Sequence, residues 1–191
     1  MSIGYNGLGN NGRLGNQMFQ YAALRGIAAH RGFDFVFPPP HDTIDNYGIH
    51  DCFNLTNVTE NNIAFHPSDQ YVQEGQFHFN EQIFENCPDN VNLYGFYQTM
   101  KYFAEIEDQI REDFSFKEDI LNPCLGMMYS FEKTPIMLHV RRGDPNLADK
   151  RGFKWAYVNL QDQHPVQTIE YYEKALAEFD DDIPVIVFSD S

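Results

Sequence analysis

Between Gly12 and Phe37 the chain passes through a glycine-bearing turn, a stretch of helical period and a short aromatic run. That succession of loop, helix and strand points to the α/β class. From Gln17 to His30, residues Met18, Tyr21, Ala22, Leu24 and Ala28 share one broad apolar face, the spacing of a helix laid on a core. Gly32 supplies the stop, and Phe33 to Phe37 reads as a strand closed by Pro38-Pro39-Pro40. Further on, Asn92 to Tyr97 reads as a strand. Met100 to Phe114 reads as a helix with Tyr102, Phe103, Ile106, Ile110 and Phe114 on one side. Thr134-Pro135 opens a strand over Ile136 to Val140, and Pro165 to Phe179 predicts a helix with proline near its first turn. Pro184 to Phe188 is apolar and β-branched, the composition of a buried parallel strand. Residues 41–92, rich in Asn, Asp, His and Gly, predict loops, short strands and room for one short helix; 145–163 form a polar loop around Trp155. A change of domain is expected between Ser115 and Lys133. Taken at its middle, it gives domains 1–125 and 126–191.

Charge narrows the partners. The formal net charge of −15 excludes the basic footprint that nucleic acid requires, and it disfavours an anionic membrane surface. An acidic chain still binds an anionic ligand where its few arginines converge. The three cysteines, Cys52, Cys87 and Cys124, are widely spaced and contain no CxxC pair, so neither a zinc ribbon nor a disulfide framework is indicated. Met1 to Gly7 has no basic or apolar leader segment, and no apolar stretch is long enough to span a bilayer. The expected location is therefore the cytoplasm, and Asn54-Leu55-Thr56 and Asn57-Val58-Thr59 are read as chance sequons in a polar loop.

Several short patterns carry chemistry. Gly7-Leu8-Gly9-Asn10-Asn11-Gly12 satisfies G-x-G-x-x-G, but Met1 to Asn6 is a poor strand and the next strand ends in proline where a ribose-binding acid belongs. The dinucleotide reading fails on both counts. Gly12-Arg13-Leu14-Gly15-Asn16-Gln17 opens a helix; glycines admit a phosphate to the backbone, and the helix start carries free N–H groups and partial positive charge. Asn16 either donates its amide to a phosphate or sugar oxygen or caps the helix. His139-Val140-Arg141-Arg142-Gly143-Asp144 follows a strand and sets two guanidinium groups in one turn. One arginine fork can hold two diphosphate oxygens while the other pairs with Asp144; a surface salt-bridge turn is the alternative. His139 is expected as a hydrogen-bonding core residue rather than a base. Asp180-Asp181-Asp182 reads as a solvated turn rather than a magnesium site.

With these residues on the page, a family resemblance emerges. Gly12 to Ala22 resembles the N-terminal signature of the α1,2-fucosyltransferases. Gly95-Phe96-Tyr97-Gln98-Thr99-Met100-Lys101-Tyr102-Phe103 resembles their G-Y-x-Q-S-x-K-Y-F segment. His139 to Asp144 is similar to the H-x-R-R-x-D motif shared with α1,6- and protein O-fucosyltransferases, and Tyr171-Tyr172 and Phe188-Ser189-Asp190 resemble later landmarks in the right order.

The resemblance implies a GT-B-like α/β fold: a Rossmann-like N-terminal domain followed by an incomplete Rossmann-like donor domain. It implies GDP-fucose as donor substrate, a galactose-terminated glycan as acceptor, inversion at the anomeric carbon, and neither cofactor nor essential metal. Arg141 is then the arginine that holds the donor phosphates, with Arg142 and Asp144 completing its loop. Asn16, Gly15, His139 and Asp190 join the donor-binding set, and Asp144 is the weak candidate for general base. The family continues beyond this point with a further acidic residue, a spacer and a tryptophan, so a truncated form is expected; Pro145-Asn146-Leu147 also replaces a more usual aromatic. Two alternatives stay open: a non-catalytic nucleotide-sugar or glycan-binding module, and a fucosyltransferase for an α1,6 or protein O-linkage. Without an anchor, the enzyme expected is of the bacterial or viral cytosolic type.

Overall fold

The computed structural model describes residues 1–10, 12–40, 48–140 and 166–189. The chain divides into two compact units, Met1–Glu118 and Asp119–Ser191.

The first unit is built on a parallel sheet in the order β2-β1-β4-β3, with β1 at Ser2–Gly4, β2 at Asp34–Val36, β3 at Tyr71–Gln73 and β4 at Val91–Tyr94. Met1 to Asn6, a poor strand by pattern, therefore supplies a central one. Ile3 pairs with Phe35 on one side and Val91 on the other and is fully buried. A three-residue strand covered on both faces has no polar alternation to reveal it. Its polar end is satisfied by side chains instead. Buried Asn92 accepts from the Asn6 amide at 3.1 Å and donates to the Ser68 carbonyl at 2.7 Å. Asn6 in turn exchanges hydrogen bonds with the His66 backbone at 2.8 and 2.7 Å.

Helix α1, Leu14–Arg31, joins β1 to β2 and buries Tyr21, Leu24, Ile27 and Ala28. It ends on Gly32, whose φ of 67° is the left-handed cap that glycine adopts without strain. Tyr21 meets Phe35, Phe37 and Phe114 at ring-centre distances of 6.4, 5.2 and 5.6 Å, which joins helix to sheet. Beneath this cluster Arg25 pairs with Asp113, itself fully buried; Asp113 also accepts from the Tyr21 hydroxyl at 2.9 Å and from the Asn57 backbone amide at 2.9 Å.

The long helix expected over Met100 to Phe114 is divided. Met100–Tyr102 and Ala104–Ile106 are 3₁₀ turns, and only Glu107–Asp113, here α4, is α-helical. Tyr102 is fully buried against Phe79 and Tyr97, at 5.0 and 5.2 Å, and its hydroxyl accepts from the Asn80 amide. Those contacts hold Phe103 at φ −137°, ψ 14°, outside helical geometry. Within 41–92, helices Ile49–Cys52 (α2) and Glu81–Asn86 (α3) also form.

The second unit contains α5 (Glu118–Met128), β5 (Ile136–Val140), α6 (Ile169–Leu176) and β6 (Val185–Ser189). The helix α5 was not legible, because Pro123 lies within it. The strands β5 and β6 pair in parallel from Ile136↔Val185 to Val140↔Ser189. Parallel pairing is as expected, but burial is not: Val187 and Phe188 are 59% and 47% exposed. Two strands with the described helices do not cover both faces of a sheet. Helix α6 starts later than expected, at Ile169, after an extended Thr168.

Candidate functional site

In open α/β sheets, ligands bind beyond the carboxyl ends of the strands. In the first unit, that edge carries the loops after β1, β3 and β4. The loop after β4 is held from both sides. The Tyr5 hydroxyl donates to the Gly95 carbonyl and accepts from the Gly95 amide at 3.0 Å, while Gln20 Nε2 donates to the same carbonyl at 3.1 Å. Burial drives the Tyr5 and Tyr97 hydroxyls far above the usual phenol range, so both remain proton donors. From β3, the Glu74 carboxylate accepts from the amides of Phe96 and Tyr97 through Oε2, at 2.9 and 2.6 Å. Tyr97 adopts φ 52° and is pinned through its hydroxyl to the Val72 carbonyl at 3.0 Å. That left-handed turn ends the strand before Tyr97 and aims the next residue, Gln98, back toward α1.

Gln98 Nε2 donates to Asn16 Oδ1 at 2.6 Å. Asn16 is not the helix cap: Arg13 holds that position, and Asn16 lies within the first turn. Its side chain packs on Gly12, where φ is 88° and a Cβ would fall 2.5 Å from Asn16 Cβ and Cγ. Only glycine meets both demands at that position. The Gln98 bond fixes the amide orientation: with Oδ1 accepting, Nδ2 is the donor end and lies against Gly12. Gly15 is exposed, with no atom within 4 Å of where its Cβ would stand. No acidic residue occupies the first turn of α1, so its positive end is not neutralised locally. This helix start can receive an anion.

Beside the same loop, a cleft of about 300 Å³ opens between the ends of β3 and β4, lined by Gln73, Glu74, Gly75, Phe77, Tyr94 and Phe96 among others. The rings of Phe77 and Phe96 stack at 6.1 Å with planes 23° apart. Among the described residues, no group of three or more His, Cys, Asp or Glu is placed to hold a metal ion.

A family model described as glycosyl transferase family 11 matches residues 2–191. The chain belongs to that family. Glycosyl transferase family 11 is the α1,2-fucosyltransferase family, which makes this chain a fucosyltransferase with a nucleotide-sugar donor and a glycan acceptor. No curated protein and no solved structure matches it. Among the described residues, no helix is long and apolar enough to cross a membrane.

Of the residues expected in this family 11 site, Asn16 and Gly15 sit at the opening of α1 in the first unit. His139 lies in β5 of the second unit and is exposed, not a core residue as expected. Arg141, Arg142, Asp144 and Asp190 lie outside the described residues, as does Trp155. The Asp180 to Asp182 turn is exposed, and Asp182 pairs with Lys133. Sequence reasoning missed Glu74, which stands in no motif. It quoted Gln98 only as part of a signature; the partner that gives Gln98 its role is 82 residues away.

Proposed function

We propose that this family 11 chain transfers fucose from GDP-fucose to the 2-hydroxyl of a terminal galactoside, with inversion and without metal, on a GT-B-like pair of Rossmann-like domains. The observation that carries the reading is Asn16, seated on Gly12 and oriented by Gln98 at the open start of α1. In the reaction, the acceptor oxygen forms a bond to the anomeric carbon while the bond from that carbon to the β-phosphate oxygen breaks. The electron pair leaves with GDP, and the hydroxyl proton passes to a base. Charge therefore accumulates on the departing diphosphate. Arg141, by family resemblance, holds those phosphates with Arg142 beside it, and Asn16 Nδ2 donates to a donor oxygen. His139, Gly15 and Asp190 complete the donor set, and Asp144 orients the arginine turn. Removing one fixed donor of this kind costs about 10²–10³ in rate, and holding hydroxyl and anomeric carbon together supplies much of the remaining acceleration.

The test is calorimetry of GDP and GDP-fucose with the full chain in metal-free buffer, beside Arg141→Ala and Asn16→Ala, followed by transfer to lactose with linkage analysis of the product. Binding lost in Arg141→Ala with unchanged circular dichroism supports the reading. Full binding or transfer by Arg141→Ala refutes the role given to that arginine, and a linkage other than to the 2-hydroxyl refutes the acceptor assignment.

A further inference from the structure

The loop Gly95–Gln98 has two working edges. Gln98 reaches Asn16, and Phe96 walls the cleft at the ends of β3 and β4. The cleft rim is unusual in its aromatics: Phe77 is 71% exposed and Tyr94 43% exposed. Large rings left to solvent around a concavity mark a recognition surface rather than a core. The floor is polar. Glu74 commits Oε2 to the amides of Phe96 and Tyr97, while its buried Oε1 has no hydrogen-bond partner among the described residues. An unsatisfied buried acceptor is costly, and a hydroxyl delivered through the cleft would satisfy it. Gln73 and Gln76 add amide groups to the lining. Exposed rings beside a carboxylate and amides suit a ligand with one apolar face and a row of hydroxyls.

Building on the fucosyl-transfer reading, we propose that this cleft binds the terminal galactopyranoside of the acceptor, its apolar face on Phe77 and Phe96 and a ring hydroxyl on Glu74. The axial 4-hydroxyl of galactose gathers the C3, C4 and C5 hydrogens on one face of the ring, which gives the stacked phenylalanines a contact that glucose lacks. About 300 Å³ lies at the lower end of the ~300–1,000 Å³ typical of small-molecule sites, a size for one or two sugar residues. The shared loop explains why occupancy belongs to the acceptor: the backbone that shapes the cleft also carries the residue that orients Asn16.

The experiment is amide NMR of the full chain titrated with methyl β-galactoside and, separately, methyl β-glucoside, without donor. Wild type, Phe77→Ala and Glu74→Gln are compared, with GDP-fucose calorimetry on each. Phe77 is exposed enough that its truncation leaves the fold intact. The expected result is shifts at Gly75, Gly95 and Phe96 with the galactoside, at least tenfold weaker binding in both variants, little response to the glucoside, and GDP-fucose affinity unchanged in Phe77→Ala. Absent shifts in wild type, or shifts retained at full strength in Phe77→Ala, overturn the cleft assignment. Equal response to the glucoside overturns the galactoside assignment, and a matching loss of GDP-fucose affinity in Phe77→Ala assigns the cleft to the donor instead. Failure of GDP-fucose to bind wild type, with galactoside shifts intact, counts against the transfer reading and leaves the cleft standing.

Discussion

At Gly26, α1 packs directly against the backbone of the chain that follows β4, and replacing it with alanine is a sharp test of the packing. A Cβ at Gly26 would collide with the Tyr102 carbonyl oxygen and stand 2.7 Å from Phe103 Cα. Ordinary contact begins at 3.4 Å, so α1 and the Met100–Tyr102 turn would have to separate by at least 0.7 Å. The obstacle is backbone, which has no rotamer to retreat into. Overpacking of this kind costs about 1–3 kcal/mol, and the gain from alanine over glycine inside a helix returns about 0.8–1.0 kcal/mol. With the collision against backbone, the cost belongs at or above the upper end, and a net loss of about 2 kcal/mol is expected. Gly15→Ala is the internal reference: it lies in the same helix with nothing within 4 Å, so it should be neutral or stabilising by up to about 1 kcal/mol. Urea denaturation of both variants, read by circular dichroism, gives the comparison. If Gly26→Ala is as stable as wild type while the slope of the transition is unchanged, the close approach of α1 to Tyr102 and Phe103 is not real.

Three further outcomes are expected. Asp113→Ala leaves buried Arg25 without its counter-charge and should cost about 3–5 kcal/mol, whereas Asp113→Asn retains part of the Tyr21 and Asn57 hydrogen bonding and should cost less by the same denaturation assay. His30 lies between Glu105 and Glu85, at 3.2 and 3.1 Å, and the Glu105 hydrogen bond leads in raising its pKa. Because the folded value lies above the unfolded value of about 6.5, the protonated ring stabilises fully below that pH, and the benefit fades as pH rises through the folded value. The stability difference between wild type and His30→Gln should therefore shrink from about pH 6 to pH 9; a constant or growing difference would contradict the pairing. Finally, burial pushes the Cys87 thiol up to about 11 and raises Cys52 as well, while Cys124 is exposed on α5. A disulfide reagent at about pH 8 should modify one thiol quickly, a phase abolished by Cys124→Ser, with half-buried Cys52 slower and buried Cys87 only on unfolding.

Legibility in the sequence followed periodicity. Helix α1 spans Leu14–Arg31 where the apolar spacing placed it from Gln17 to His30, and β5 falls on Ile136–Val140 as read. The failures have physical causes. Strand β1 is too short and too central to show a pattern. The 100–114 period is genuine in its burial, since Tyr102, Ile106 and Ile110 are all inside, but aromatic packing of Tyr102 overrides helical hydrogen bonding at Phe103. For the site, the glycines marked the opening of α1, but the sequence left Asn16 as either a ligand or a cap; its place past the cap and its bond to Gln98 emerge only in the fold. Glu74 was not legible, because a lone carboxylate gains meaning only from the two amides, more than 20 residues on, that fold back onto it.

The place of β1 has a consequence for biosynthesis. Strand β1 leaves a ribosome before both of its neighbours, yet it becomes the middle of the sheet, with Ile3 between Phe35 and Val91. At the ~5–20 residues per second of translation, roughly 3–11 s separates the appearance of those two neighbours. Throughout that interval, one edge of the nascent strand has no native partner. The chain thus has a built-in window in which chaperone capture competes with self-association, and slowing elongation between codons 37 and 90 should lengthen it.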